Sequence, residues 1–269
     1  MLHHLMSRGN DKRKIFLDDI DYRRYLQQLE RSAERFDVGV LGYVLMPNHV
    51  HLLVRPNTHT LSRFMQHLNG AYCGWFNRRH GRVGHVLQGR YKAQIVEGGA
   101  SFLRVLRYVM LNPVAAGKVD RPGDWLWSSF RQTAGISEAG FLDLSDVWQT
   151  FDPDDPANAQ RKFRQFVEGG LVAEDLPDGL FLGSDGFVQG FAPALARHQA
   201  NREFVYAQRF AARPPLQQIM PDRTRGPATE RAVYEAFQVH AFTLREIAEH
   251  IGVTPSTIWV WTQRAIRAA

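Results

Sequence analysis

Cysteine is nearly absent. Cys73 is the only one in 269 residues, so no intrachain disulfide can form, and a reducing compartment is the expectation. Long apolar runs are absent too. None approaches the roughly 18–20 residues that a membrane-spanning helix needs. The opening stretch MLHHLMSRGNDKRK has no apolar core of the kind a secretory leader carries. Internal repeats and low-complexity tracts are missing. These absences exclude a disulfide scaffold, a membrane-spanning helix bundle and a repeat array. With 44% hydrophobic and 22% charged residues, the chain has the ordinary balance of a soluble protein long enough to bury a sizeable core. The expectation is a soluble, cytoplasmic protein.

Charge is present but unevenly spread. The formal net charge is +6, and residues 1–130 hold 19 Lys and Arg against 10 Asp and Glu, a net of +9. Residues 131–220 hold 8 against 12, a net of −4, and residues 221–269 hold 6 against 5, a net of +1. A basic first half is the footprint of a polyanion binder, or simply of a solvated basic face.

The periodicities give an element order. HHLMSRGN reads as a short strand entering a turn. Residues 17–37 read as a helix, with Asp18 and Asp19 at its start and apolar positions at Ile20, Tyr25, Leu29 and Phe36. Residues 38–46 and 49–56 are apolar and β-branched and flank Pro47-Asn48, so they read as a hairpin. Residues 60–81 read as a second helix, capped by Thr60 or Ser62 and ending before Gly81; 89–97 reads as a third strand region, and 101–112 as a helix closed by Pro113. The order predicts an α+β sandwich, an antiparallel sheet with helices on one side. Three regions are expected: 1–130, a mainly helical extension and polar linker over 131–225, and a C-terminal unit over 226–269.

The hairpin raises a chemical question. In LGYVLMPNHVHLLVRP, His49 and His51 sit inside an apolar run. Strand side chains alternate, so Val50, Leu52 and Val54 share one face and the two imidazoles share the other, about 7 Å apart along the strand. Two imidazoles so placed can converge on a divalent ion, or can be half-exposed residues on an open sheet face. On the helix 101–112, Arg104, Tyr108 and Asn112 line up at i, i+4 and i+8. Asn112 can offer an amide oxygen to a metal. Tyr108 can act as a nucleophile at phosphorus once activated; with an ordinary pKa near 10 it needs a nearby cation or base, and Arg104 or Arg107 can supply the cation. The alternative is a core tyrosine with an asparagine closing the helix.

The blocks YVLMPNHVHLLVRP, GRYKAQIVE, LRYVMLNPVAAGKV and DWLWSSFR, in that order and spacing, resemble the REP-associated tyrosine transposases. These are single-tyrosine HUH nucleases related to the insertion-sequence-200 type of transposase. The resemblance runs from SRGN to WSSFR, nearly half the chain. It implies a ferredoxin-like, RRM-like antiparallel sheet. It implies His49 and His51 as the metal-binding pair completed by Asn112, Tyr108 as the attacking residue, and Mg²⁺ or Mn²⁺ as the ion. It implies single-stranded DNA as substrate, typically a repetitive extragenic palindrome folded as a hairpin. The expected reaction is cleavage and strand transfer through a 5′-phosphotyrosine, and the expected location is at the nucleoid.

Arg8, Arg90 and Lys92 lie in the matching blocks and can contact phosphates, or be solvated surface charges; Arg104 and Arg107 are expected among the DNA contacts as well. NRRHGR (77–82) is a basic helix end with the same two readings. Trp125 and Trp127 can stack on bases, although packing is favoured. His3 and His4 open the first strand; only one can face the sheet interior, and a structural role is favoured over ligation. TLREIAEHIGVTPSTIWVWTQRA (243–265) resembles a helix-turn-helix: Leu244, Ile247 and Ala248 on one helix, Gly252 at the turn, Thr254 and Pro255 starting a second helix, Ile258 and Trp261 inward. Such a unit places its second helix in a DNA groove, with Thr257, Trp259 and Arg264 as contacts, or serves as a packing module. Two other readings remain for the whole chain: a DNA-binding regulator that does not cut, and a replication initiator or relaxase, which often carries a second tyrosine that this helix lacks. A homodimer is left open.

Overall fold

The structure is a computed structural model and describes residues 1–57, 60–170, 176–177, 179–193, 214–220, 227–238, 240 and 242–268. It divides into two compact units, Met1–Ser184 and Asp185–Ala269.

The first unit opens with β1 (Leu2–Arg8), α1 (Asp19–Phe36), β2 (Val38–Met46), β3 (His49–Pro56), α2 (Leu61–Arg79) and β4 (Lys92–Val96), followed by α3 (Ala100–Ala115). The sheet order is β2-β3-β1-β4 with every one of these neighbours antiparallel. A βαββαβ chain with that order is the ferredoxin-like arrangement expected, and the α+β class stands. A fifth short strand, β5 (Phe181–Leu182), pairs parallel with β4 and becomes the sheet edge.

Each boundary has a local cause. Asp18 caps α1 by accepting from the backbone N–H groups of Ile20 and Asp21, and Asp37 ends it in a left-handed conformation at φ 52°. Gly81 follows α2 at φ 59°. Thr60 precedes α2, but its hydroxyl donates to the Phe36 carbonyl instead of capping the helix. Ile20, expected on the apolar stripe of α1, is exposed, and Tyr22 is buried in its place. Pro113 does not close α3: the helix continues through it to Ala115. In the last turn a proline forfeits a single intrahelical bond, which the surrounding packing outweighs.

The two faces of the sheet carry different helices. Asn69 on α2 donates to Ser7 Oγ at 3.1 Å, and Ser7 is paired with Val50, so α1 and α2 cover the face of Val50, Leu52 and Val54. The third helix crosses the opposite face, the one expected to be open. Gly42, paired with Leu53, makes room for it: a Cβ there would come within 3.1 Å of Met110 and 3.6 Å of Leu106 on α3.

The unit runs past residue 130, where a boundary was expected. Residues 127–129 bond along β2, with Leu45 N–H donating to Trp127 O at 2.8 Å and Ser129 N–H donating to Tyr43 O at 3.0 Å. The helices α4 (Phe130–Thr133), α5 (Ser145–Phe151) and α6 (Pro156–Glu168) then add Phe130, Val147, Phe163 and Val167 to the same core. Arg55 on β3 bonds Asp143 at 2.7 Å and also pairs with Asp146. The acidic stretch is therefore part of the first unit's fold up to Ser184.

The second unit has its own core of Val233, Ala236, Phe242, Ile247, Ala248, Ile258 and Trp261. The helices Leu244–Ile251 and Pro255–Ala268 flank Gly252, which is left-handed at φ 83°. Thr243 and Glu246 form a reciprocal capping box. Most of the polar connector expected before this unit lies outside the described residues. Among the described residues no helix is long and apolar enough to cross a membrane.

Candidate nuclease site

The period-two alternation of β3 places His49 and His51 on the face crossed by α3. There they meet the helix as the spacing suggested. His49 Nε2 lies 3.3 Å from Asn112 Oδ1, and the His51 and Tyr108 rings are 5.4 Å apart, edge to face. Arg8 and Met6 pair with His49 and His51 in the register and share their face.

Burial holds the imidazoles neutral. His51 is 2% exposed; burial first, and then the charges of His4, His49 and Arg8, push it well below its ordinary value. Burial also lowers His49, against the opposing pull of the Asn112 amide oxygen. A neutral imidazole has one N–H. For His49 that proton is spoken for: Nδ1 lies 2.7 Å from Asn48 Oδ1, and Asn48 is oriented by its own amide donating to the Lys12 carbonyl at 3.1 Å. The His49 Nε2 lone pair then faces the lone pairs of Asn112 Oδ1. Two acceptors pointed at each other at 3.3 Å have no proton to share, but they suit two ligands of one cation. The donor set therefore fits a divalent ion at His49, His51 and Asn112. Among the described residues no group of three His, Cys, Asp or Glu is placed to hold a metal; the set here is two imidazoles and an amide.

Other expected residues divide by exposure. Arg8, Arg90, Lys92 and Arg104 are exposed. Arg107 is not presented to a ligand. Its guanidinium lies 3.8 Å over the ring of Phe166 on α6, and its Nε is buried. It is a packing cation, which sequence spacing could not show because Phe166 is far along the chain. The basic end of α2 is also partly consumed: Arg79 bonds Asp18 at 2.7 Å and pairs with buried Asp21, tying α2 to α1. Trp127 stacks on Tyr22 at 4.5 Å and Trp125 donates to Leu45 O at 3.1 Å, so both are packing residues.

In the second unit Ile258 and Trp261 are buried, as expected, and Trp259 is half exposed. The hydroxyl of Thr257 lies 3.0 Å from that of Thr254 at the helix start. Arg264 pairs with Glu230 at 3.3 Å.

His4 takes the structural role favoured for it, and Gln94 escaped the sequence reading. His4 faces the site but does not point at the would-be ion: its Nε2 is 2.8 Å from His51 Nδ1. Gln94 on β4 lies 3.0 Å from His4 Nδ1. Only the strand order 3-1-4 brings them together, and nothing local in LHHLMSR or KAQIV signals it.

Known proteins resemble the chain in two separate stretches. Residues 1–112 match the family described as Transposase IS200 like, and residues 227–268 match Sigma-70, region 4. A Haemophilus influenzae protein named as a REP-associated tyrosine transposase is 23% identical over 133 residues, covering 45% of this chain and 75% of that protein. A solved REP-associated tyrosine transposase bound to a REP hairpin is 16% identical, covers 50% of this chain and 79% of its own, and superposes with a TM-score of 0.44. A Deinococcus radiodurans transposase structure is 17% identical, covers 40% and 88%, and has a TM-score of 0.32. The resemblance read from the sequence is therefore found again in the first unit, and the C-terminal unit is a helix-turn-helix.

Proposed function

We propose that this chain, which resembles the IS200-like and REP-associated tyrosine transposases over its first 112 residues, is a single-stranded DNA endonuclease and strand transferase acting on hairpins of repetitive extragenic palindromes. The observation that carries the reading is the meeting of Tyr108 and Asn112 with His51 and His49 on one face of the sheet.

Tyr108 is the nucleophile. Its phenolic oxygen forms a bond to phosphorus as the bond from phosphorus to the 3′ oxygen breaks. The products are a 5′-phosphotyrosine and a free 3′-OH; one proton leaves the phenol and one is gained by the departing oxygen. The phosphodiester count is unchanged, so the reverse attack by another 3′-OH rejoins strands without ATP. His49, His51 and Asn112 would hold Mg²⁺ or Mn²⁺. When bound, that ion supplies Lewis-acid polarisation of a non-bridging phosphate oxygen, which contributes several kcal/mol to such reactions. The α3 backbone fixes Tyr108 one turn from Asn112, so nucleophile and ion site are set by one rigid element. Arg8 and Lys92, exposed on the histidine face or beside it, contact the flanking phosphates, with Arg90 and Arg104 as further contacts. The helix Pro255–Ala268 enters a DNA groove through Thr257, Trp259 and Arg264, and Arg264 exchanges Glu230 for phosphate.

The test is a denaturing gel with hairpin oligonucleotides from host extragenic repeats, with and without Mn²⁺ or Mg²⁺. Metal-dependent cleavage with a covalent protein–DNA band, lost in Tyr108→Phe, supports the reading. Tight binding without cleavage over a broad panel of hairpins would replace it with a non-cutting regulator.

A further inference from the structure

We propose that His4 and Gln94 form a positioning relay that fixes His51 in one tautomer, with the lone pair on Nε2, and that the backbone at residues 177 and 179 anchors the relay. The inference rests on His51 being a metal ligand, as proposed above.

The direction of every hydrogen bond follows from the far end. The Gln94 side chain meets two backbone carbonyls through Nε2, Pro177 O at 2.9 Å and Gly179 O at 3.1 Å. Carbonyls only accept, so the amide nitrogen must lie on that side and the amide oxygen on the other. That oxygen is 3.0 Å from His4 Nδ1, so Nδ1 of His4 carries the proton and donates. His4 Nε2 is left with a lone pair, 2.8 Å from His51 Nδ1. His51 must then donate from Nδ1, and its Nε2 is left proton-free. The two rings have centroids 5.0 Å apart and planes only 10° apart. With the short N···N distance this places them edge to edge in nearly one plane, the geometry of an in-line hydrogen bond rather than a face stack. His4 is 5% exposed and His51 2%, so water is poorly placed to stand in for either partner.

The relay runs across the sheet, from β3 to β1 to β4 and on to the segment before β5. It parallels the arrangement at the other imidazole, where Asn48 and the Lys12 carbonyl hold His49 Nδ1. Both ligand candidates thus have Nδ1 committed and Nε2 available. Outer partners of this kind set ring orientation and the basicity of the ligating nitrogen. Its anchor comes from residues 177 and 179, which lie between the two family-matched stretches ending at 112 and starting at 227. The acidic middle region then has a role beyond packing: it completes the outer part of the site.

Without the relay nothing commits the His51 proton to Nδ1. An unrestrained imidazole prefers its proton on Nε2, the atom the ion would need.

The experiment uses the full-length, metal-free, ¹⁵N-labelled protein and long-range ¹H–¹⁵N correlation to read the His51 tautomer. The expected result is Nδ1–H in the wild type and loss of that preference in His4→Leu. His4→Gln, whose side-chain oxygen can accept in place of Nε2, restores it. Mn²⁺ binding measured by calorimetry should weaken about 10–100-fold in His4→Leu, the range for losing an outer partner, recover in His4→Gln, and fall less in Gln94→Leu. Gln94 is only half-buried, so that variant tests the relay even if His4→Leu fails to fold. A wild-type proton on Nε2, or a tautomer unmoved by both leucine variants, overturns the relay. The expected tautomers with no Mn²⁺ binding by the wild type would uphold the relay and remove the metal reading instead.

Discussion

The two faces of β3 are built from one eight-residue strand, His49–Pro56, and they do opposite work. Val50, Leu52 and Val54 are 0–1% exposed and pack beneath α1 and α2. His51 on the other face is as deeply buried at 2%, yet it is surrounded by groups that bond or titrate. Burial therefore does not distinguish the faces. The difference is what each side chain must satisfy. The aliphatic face needs only close packing, and any well-filled core would serve. The histidine face needs a partner for every imidazole proton, and it recruits Asn48, His4 and Gln94 from three other places in the fold. The imidazole chemistry is confined to the odd-numbered face, at His49 and His51, while Leu53 and Arg55 on that same face serve the fold.

That separation is sharpest in a pair of substitutions. Tyr108→Phe should abolish the covalent adduct, a loss on the order of 10³-fold or more for removal of a nucleophile. It should shift unfolding by about 1 kcal/mol at most, the worth of one hydroxyl hydrogen bond. Leu52→Ala should do the reverse: about 2–5 kcal/mol of destabilisation from the lost apolar contact and the cavity, with the covalent band retained in whatever fraction remains folded. Denaturant melts and adduct gels on both variants read the comparison directly. A folded Leu52→Ala protein that forms no adduct would mean that the two faces are not separable.

Asn112 sharpens it further, because it sits on α3 rather than on the strand. Asn112→Ala should weaken Mn²⁺ binding by at least the roughly 10–100-fold of an outer partner, while Asn112→Asp keeps an oxygen donor and should bind. Calorimetry that finds equal affinity in both would place the third ligand elsewhere. The imidazoles add a pH signature. Burial lowers His4, His49 and His51 from the ordinary 6.5. As pH falls through 6.5 the unfolded chain takes up these protons and the folded one does not. Stability is therefore lost below that point until the folded values are reached, and no penalty exists above it. Metal binding, which competes with the same protons, should persist to lower pH than for a solvated imidazole. Mn²⁺ titrations between about pH 8 and pH 5 check this; affinity already lost near neutrality would show the rings to be solvated.

Much of this was legible in LGYVLMPNHVHLLVRP and LRYVMLNP. Strand alternation placed His49 with His51, helical spacing placed Tyr108 with Asn112, and the resemblance of the blocks brought the two elements together. The hairpin bounds match, because Pro47-Asn48 punctuates two β-branched runs. The end of α3 did not follow from the sequence, since a proline in a last turn costs little when packing holds the helix. Nor did the reach of the first unit to Ser184. Its evidence is the contact of Phe130, Phe163 and Val167 with a core laid down before residue 112, and long-range packing leaves no local pattern. Gln94 was missed and Arg107 misjudged for the same reason: their partners lie 83 and 59 residues away, at Pro177 and Phe166.

Arg107 and Lys92 give the smallest and most discriminating test. Both were expected to contact DNA. Lys92 is exposed on β4 and paired with Met6, so it lies on the histidine face. Arg107 is committed to Phe166. Removing a phosphate contact on single-stranded DNA lowers the salt slope of log affinity by about 0.7 per charge. Lys92→Ala should show that change with little effect on unfolding. Arg107→Ala should leave the slope unchanged and destabilise the fold, because the alkyl stem and the cation–π contact are lost together. Fluorescence anisotropy of a labelled hairpin across a salt series separates the two. If Arg107→Ala lowered the slope and Lys92→Ala did not, α3 rather than β4 would be the surface that follows the DNA backbone.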